Sequence, residues 1–218
     1  MSEIKFTYEN KINIGTNSKT LLRKFTRPST LISLGLLFLI IFCALFASIL
    51  APTNPYDLKV VSILDSRLSP GDKMLNGTVA WLGTDGAGRD VLSAIIFGLR
   101  TSLVVAISSA VIALIAGLFV GLIAGFYGGK IDAFLMRIVD IQLSFPAILV
   151  ALVLLALLGK GIDKVIIALA IVQWAIYART VRAAAIVERN KEYIQAASCL
   201  GLSNSLIIWK HLLPNSIS

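Results

Sequence analysis

Four long stretches of this chain, 31–50, 101–127, 141–158 and 165–178, contain no charged residue, and this feature limits its possible folds more than any other. A helix that crosses a membrane needs about 20 mostly apolar residues. The sequence predicts such spans at 31–50, 101–127, 137–159 and 163–185. The last of them contains Arg179 and Arg182, which we expect to extend toward an interface. We therefore predict an all-α fold, a polytopic bundle of membrane helices.

The composition argues against a soluble enzyme. Hydrophobic residues make up 57% of the chain and charged residues 15%, whereas a soluble domain carries about 25% charged residues. Cys43 and Cys199 form neither a disulfide framework nor a metal-ligand cluster. The chain has one histidine, His211, and nothing in the sequence resembles the nucleophile elbow of a Ser-His-Asp hydrolase. The sequence lacks a Walker A loop and an acidic residue at mid-membrane depth. We expect no catalytic site, no bound cofactor and no energy source within this chain.

The distribution of basic residues predicts the orientation in the membrane. The tail 1–30 holds six basic and two acidic residues, whereas the loop 51–100 holds five of each. Lysine and arginine are retained preferentially in the cytoplasm. We therefore place the N-terminus and the segment 188–214 in the cytoplasm and the loop 51–100 outside. The net charge of +8 is then explained by topology, and we expect no nucleic-acid partner. The first span exceeds the about 7–15 residues of a signal-peptide core, so it is interpreted as a retained anchor.

The second half of the loop 51–100 is rich in glycine and charge. Asp85 and Arg89 are close enough in sequence to pair, and Asp90 can cap a following helix at 91–99, which we expect at the outer interface. Two readings remain open: a stable structured turn, or a docking surface for an outside partner. The docking candidates are Gly83, Asp85, Gly88, Arg89 and Asp90.

Small and polar residues mark particular faces of the predicted spans. Gly117, Gly121 and Gly125 recur every four residues, a spacing that lets two helix backbones approach closely. Pro146 removes a backbone donor and predicts a kink in the third span. Polar side chains in a span face either other helices or a water-filled path. Candidates for a translocation path are Gln142, Ser144, Pro146, Gln173 and Trp174.

The segment 188–214 predicts two short amphipathic helices on the cytoplasmic side. Gly201 can end the first helix, Ser203 or Asn204 can cap the second, and Pro214 disturbs the chain beyond it. Such a pair can fit a groove on a soluble partner or lie along the membrane surface.

The pattern Gln195-Ala196-Ala197-x3-Gly201-x9-His211-x-Leu213-Pro214 resembles the coupling motif of permeases of ATP-binding-cassette importers. That motif usually has glutamate at position 195 and isoleucine at position 211. Three further stretches resemble the oligopeptide/dipeptide branch, and most closely its second permease subunit. They are Leu82-Gly83-Thr84-Asp85-x2-Gly88-Arg89-Asp90, Gly125-Phe126-Tyr127-Gly128-Gly129 with Asp132, and Arg137-Ile138-Val139-Asp140. Tyr177-Ala178-Arg179-x2-Arg182 and Glu192-Tyr193 add support to the resemblance.

The resemblance implies a mechanism and a set of partners. They are a second permease, two cytoplasmic ATPases that use ATP and Mg²⁺, an extracytoplasmic substrate-binding protein, and the lipid of a bacterial inner or plasma membrane. The family normally has six spans, so the chain is expected to be truncated, with the fifth and sixth spans missing. The residues implied in coupling are Glu192, Tyr193, Gln195, Ala196, Ala197, Gly201, His211, Leu213 and Pro214.

The substrate implied by the resemblance is a dipeptide or oligopeptide. Nickel or metal chelates, glutathione and peptide antibiotics are alternatives that use similar permeases. More distant alternatives are a channel or carrier that does not use ATP, and a membrane assembly protein.

Overall fold

The computed structural model describes residues 27–57 and 59–216, so most of the predicted tail 1–30 lies outside the described residues. The all-α class is confirmed, because β pairing among these residues is limited to the isolated bridges Lys73–Val79 and Thr84–Asp90. The helices are α1 Pro28–Leu45, α2 Ala47–Leu50, α3 Val91–Tyr127, α4 Gly129–Ser144, α5 Ala147–Leu158, α6 Ile162–Arg189, α7 Glu192–Cys199, α8 Asn204–Leu206 and α9 Leu213–Ser216. A 3₁₀ turn occupies Ile63–Asp65, and a π-helical stretch, Ile207–Leu212, joins α8 to α9.

Three helices in the described part of the chain, α1, α3 and α6, are long and apolar enough to cross a membrane. The pair α4 and α5 meets the same criteria together, but the two helices are bent by 88° relative to each other. The predicted third span, 137–159, is therefore broken. Phe145 is extended (φ −94°, ψ 141°), since the residue before a proline is disfavoured in the helical region.

The chain divides into two compact units, residues 1–100 and 101–218. In the first unit, the start of the loop is tied to the first turns of α3. The Thr53 N–H donates to Ser93 Oγ at 3.1 Å, and the Tyr56 ring meets the Phe97 ring edge-on with centroids 6.0 Å apart. The helix predicted at 91–99 and the span predicted at 101–127 are one continuous helix, because no proline or glycine pair interrupts the sequence around Arg100.

In the second unit, α3 and α6 pack backbone to backbone. A Cβ added to Gly117 would lie 2.5 Å from Tyr177 Cβ, and one added to Gly121 would lie 2.6 Å from the Ala178 carbonyl oxygen. A Cβ added to Gly125 would lie 2.6 Å from Ala185 Cβ. The glycines at four-residue spacing thus lie against one face of α6, where no side chain would fit.

Two ion pairs join α4 to α6. Arg182 pairs with Asp132 through two contacts, Nε to Oδ1 at 2.5 Å and Nη2 to Oδ2 at 2.6 Å. Arg179 pairs with Asp140. The two arginines of the fourth predicted span therefore have carboxylate partners on α4. From the sequence we expected these arginines to extend toward an interface, and we did not predict the pairs.

Candidate functional site

The segment 188–214 turns sharply at Gly201. Helix α7 ends at Cys199, and Gly201 adopts a left-handed conformation (φ +74°). The Leu202 N–H donates to the Ala197 carbonyl at 3.3 Å, and the Gly201 N–H donates to the Ser198 carbonyl at 3.1 Å. These two bonds form a Schellman motif, which satisfies the last carbonyl groups of the helix. Gly201 therefore has the role at the helix end that the sequence predicts.

The second half of the segment is one helical stretch of changing pitch. Ser203 Oγ accepts from the Leu206 N–H at 3.4 Å and caps α8. The following residues adopt π-helical geometry, in which the Leu213 N–H donates to the Ile208 carbonyl. Pro214 has no N–H to donate, and the wider turn before it accommodates this loss. The helix therefore continues through Pro214 to Ser216.

A buried carboxylate fixes α7 to the end of α6. Glu188 is 5% exposed, and it accepts a hydrogen bond from the Tyr193 hydroxyl and pairs with Lys191 Nζ at 2.6 Å. Partial burial and the hydrogen bond to Glu188 raise the pKa of Tyr193 to about 12. We call these three residues, Glu188, Lys191 and Tyr193, the tyrosine clamp.

The segment has a buried face and an exposed face. Ile194 and Ala197 of α7 pack with Ile207, Ile208 and Leu212 in a cluster that also contains Leu122 and Phe126 of α3 and Ala185 of α6. Of the residues predicted to act in coupling, Ala197 is buried, His211 and Leu213 are half-buried, and Glu192, Tyr193, Gln195, Ala196, Gly201 and Pro214 are exposed. The segment therefore presents a solvent-facing surface while its other face is held by α3 and α6.

An open cavity of about 550 Å³ lies beside α7, and its lining includes Tyr127, Arg189, Gln195 and Cys199. In the described part of the chain, no group of three or more His, Cys, Asp or Glu side chains is placed to hold a metal ion.

The glycine-rich turn at residues 83–90 is closed by Asp85. Its Oδ1 accepts from the N–H groups of Ala87 (2.8 Å) and Arg89 (3.0 Å), and its Oδ2 pairs with the Arg89 guanidinium at 2.8 Å. Burial acts to raise the pKa of Asp85, but these N–H groups outweigh it and hold the pKa below its ordinary value. Asp85 is therefore a structural acceptor for its own turn.

Three of the five residues predicted to meet an outside partner are buried in the structure. Asp90 is 1% exposed, and its Oδ2 accepts from the N–H of Ser93 at 2.9 Å, which makes it the cap of α3. Gly83 and Gly88 are also buried, so Gly83, Gly88 and Asp90 present little surface in this conformation, and their contact with an outside partner stays a prediction. Asp85 and Arg89 remain accessible, beside the exposed side chains of Trp81 and Leu82.

The five candidates for a translocation path do not meet in one place. Gln173 lines a cavity of about 590 Å³ together with Thr101, Ser102 and Ser109 of α3. Gln142 instead donates to the Ile171 carbonyl at 3.4 Å, and Trp174 packs against the buried residues Val139, Ala175 and Ala178. Ser144 donates to the Asp140 carbonyl at 2.7 Å, and Pro146 lies at the break between α4 and α5.

Sequence reasoning missed Glu188 and the hydroxyl residues of the α3 cavity. Glu188 is one charge in a mixed-charge stretch, and only its burial distinguishes it. The spacing of Ser109 from Thr101 and Ser102, seven or eight residues, corresponds to about two helical turns and places the three hydroxyls on one side of α3.

Comparisons with known proteins agree with these features. Residues 117–218 match the family model for the binding-protein-dependent transport system inner membrane component. The chain is 40% identical to the dipeptide transport system permease protein DppC of Escherichia coli K12 over 216 residues, 96% of this chain and 71% of that protein. It is 40% identical to the di/tripeptide permease DppC of Pseudomonas aeruginosa, covering 84% of this chain and 60% of the relative.

A third relative is the glutathione transport system permease protein GsiD of Salmonella typhimurium. It is 39% identical over 197 residues, which is 90% of this chain and 62% of the relative. The chain thus spans 60% and 62% of the length of the Pseudomonas and Salmonella proteins.

Proposed function

This chain belongs to the family of binding-protein-dependent transport system inner membrane components, and we propose that it forms part of a permease that imports short peptides, powered by separate ATPase subunits. The observation that carries the proposal is the fold of the segment 188–214. An exposed surface on α7 is joined through the tyrosine clamp and a shared apolar cluster to α6 and α3. A partner that moves this surface would therefore move two membrane helices.

The conformation at Gly201 supports a docking role for the segment. The Schellman motif gives the α7 end a compact turn whose Leu200 side chain is 80% exposed. Apart from the two chain neighbours of Gly201, no described residue has an atom within 4 Å of where a Cβ of Gly201 would be. We propose that this exposed turn enters a groove on a cytoplasmic ATPase, which binds ATP and Mg²⁺. ATP-driven changes in that groove would then bias the conformation of the permease through differential contacts with the segment.

We propose the remaining partners and the orientation on the same basis. A second permease subunit would complete the path through the membrane, and an extracytoplasmic binding protein would deliver substrate near Asp85 and Arg89. The charge distribution supports a cytoplasmic N-terminus in a bacterial inner membrane. Among substrates, di- and tripeptides are favoured by the names of the relatives, and glutathione is a second candidate because one relative is a glutathione permease.

The first test is to isolate the natively expressed protein from the membrane in mild detergent and identify what accompanies it. We expect a second permease and ATPase subunits, and uptake of labelled di- or tripeptide that requires ATP. Isolation without any ATPase, or uptake that does not depend on ATP, would contradict the proposal. Competition by glutathione would distinguish the two substrate candidates.

The second test separates backbone conformation from size at Gly201. The space around it is open, so a side chain costs little by contact, but a β-branched residue is strained at φ +74°. We expect Gly201→Val to lose most ATP-driven uptake, and Gly201→Asn to retain it because asparagine tolerates this conformation. Equal uptake by both variants and the wild type would argue against a role for this turn.

A further inference from the structure

A cavity in the first unit lies beside Arg100, which is the one charged residue of α3. It measures about 420 Å³ and is formed by the end of α2, residues 51–54 and α3. Its polar lining residues are Ser48, Thr53, Asn54 and Arg100, and its apolar ones are Ala51, Pro52 and Phe97. None of the described residues that line it is acidic.

Hydrogen bonds within the protein leave donor groups of Arg100, Ser48 and Asn54 available, whereas the N–H and the hydroxyl of Thr53 donate to Ser93 Oγ. Arg100 Nη1 donates to Ser48 Oγ at 3.3 Å, so the hydroxyl hydrogen of Ser48 is not used in that bond. The Tyr56 N–H donates to Asn54 Oδ1 at 3.0 Å, which leaves the Nδ2 amide of Asn54 as its hydrogen-donating end. The Arg100 guanidinium has further N–H groups to donate.

The positive charge of Arg100 is not neutralised by the part of the chain that the structure describes. The ion pairs found there join other residues, Arg89, Lys164, Arg179, Arg182 and Lys191, to carboxylates. A cation with neutral donors around it and no carboxylate in the lining is suited to an oxyanion. An arginine binds the oxygens of a phosphate through two parallel N–H groups.

The position of the cavity identifies the source of the oxyanion. Arg100 precedes 27 uncharged residues, 101–127, which form a helix about 40 Å long. This length exceeds the thickness of the hydrocarbon core of a membrane, which is about 30 Å. The first predicted span ends with α2, and Ala51 and Pro52 follow it directly. Arg100 and these residues therefore lie at the membrane–water boundary on the side of the loop 51–90, the depth of lipid headgroups. The apolar lining fits the glycerol and upper acyl chain.

We propose that this cavity binds the phosphate of a glycerophospholipid in the leaflet next to the loop 51–90. Arg100 pairs with the phosphate, and Ser48 and Asn54 donate hydrogen bonds to it. Binding of this lipid does not depend on the transport function proposed above, since it uses residues outside the segment 188–214 and outside the path candidates.

Native mass spectrometry of the detergent-solubilised full chain tests the proposal, with phosphatidylglycerol as the probe. We expect Arg100→Gln to lower lipid retention about tenfold, the equivalent of one strong ion-pair interaction. The matched control is Lys73→Gln, which removes an exposed cation from the same loop and is expected to retain lipid as the wild type does. Equal retention by Arg100→Gln and the wild type, or equal loss in the Lys73 control, would overturn the proposal.

A second variant tests the donor arrangement without removing Arg100. Asn54→Asp keeps the Oδ1 acceptor for the Tyr56 N–H and replaces the amide donor with a carboxylate oxygen. We expect the same loss of phosphatidylglycerol with an unchanged melting temperature, and wild-type retention would contradict the assignment. Displacement of the lipid by equimolar inorganic phosphate would instead assign the cavity to a soluble oxyanion and overturn the lipid assignment.

Discussion

The hydroxyl of Tyr193 shows how one residue links two helices. It donates to Glu188, which is buried at the end of α6. Because its pKa is raised from 10.0 to about 12, the folded state holds the phenol proton more tightly than the unfolded state does. The stability from this contact is therefore complete below pH 10 and is lost as pH rises through about 12.

A spectrophotometric titration checks this shift. The chain has five tyrosines, and the difference between the wild type and Tyr193→Phe isolates one of them. We expect that difference to titrate with a midpoint near 12, because a phenolate would face the Glu188 carboxylate. A midpoint near that of free tyrosine would show that the hydroxyl does not contact Glu188.

A pair of glycines on α3 provides a matched test of close packing. A Cβ on Gly121 would lie 2.6 Å from the Ala178 carbonyl oxygen and 2.8 Å from Val181 Cβ. In the described part of the chain, no atom beyond the adjoining backbone of its own helix lies within 4 Å of a Cβ on Gly98. We expect Gly121→Ala to lower the free energy of unfolding by about 1–3 kcal/mol through overpacking. Gly98→Ala should be neutral or stabilise by up to about 1 kcal/mol, because alanine favours helix. Thermal melting in detergent measures both, and equal melting temperatures would contradict the α3–α6 contact.

At the scale of elements, the ion pair between Asp132 and Arg182 joins α4 to α6. Their side chains are 17% and 31% exposed. Removing one partner leaves the other charge unpaired in a partly desolvated site, and this lowers the free energy of unfolding more than removing both partners does. We expect Asp132→Asn and Arg182→Gln each to reduce stability by about 1–3 kcal/mol.

The double variant distinguishes this pairing from two independent effects. If the residues interact, the loss in the double variant is smaller than the sum of the two single losses. Additive losses in thermal melting would show that the two side chains stabilise the fold separately.

Local signals predict some elements well and their partners poorly. The uncharged runs predict most of the long helices, and the glycine spacing on α3 predicts a close contact without identifying α6 as the partner. The pairing of Asp132 with Arg182 joins residues 50 positions apart, and nothing in either neighbourhood specifies the other. Pro146 predicts a kink, but the 88° bend depends on how α5 packs against α6, which local sequence does not determine.

The candidate sites show the same division. The turn at Gly201 and the cap at Asp90 are local, and the sequence predicts both. The roles of Asp90 and Glu188 depend on burial: the first was expected at a docking surface, and the second was not identified. Burial results from long-range packing, so a charged residue in a mixed-charge stretch gives no local sign of it.

At the scale of the second unit, several contacts converge on α6. Helix α7 is attached to it by the tyrosine clamp, α3 by the three glycines, and α4 by the two ion pairs. Helix α5 also contacts α6, but it has no buried residue and follows the break at Pro146. A displacement applied to α7 is therefore expected to move α3, α4 and α6 together.

The last prediction tests whether the tyrosine clamp transmits that displacement. Under the proposed function, Glu188→Gln leaves Lys191 without its carboxylate and weakens the bond from Tyr193, so α7 can move without α6. We expect ATP hydrolysis to continue while peptide uptake per ATP falls at least about fivefold, the lower end of typical coupling between sites. The measurement is labelled dipeptide uptake and phosphate release in the same vesicles, with the complete transporter.

Asp163→Asn is the matched control, since it makes a comparable carboxylate-to-amide change at the other end of α6, where Asp163 is 67% exposed. This control should keep the wild-type ratio of uptake to hydrolysis. Tyr193→Phe should reproduce the effect of Glu188→Gln, and the double variant should add little, because both changes break one contact. If uptake and hydrolysis instead fall together, the clamp stabilises assembly with the ATPase and does not transmit its motion. An unchanged ratio in both single variants would place the transmission elsewhere, in the apolar cluster that α7 shares with Leu122 and Phe126.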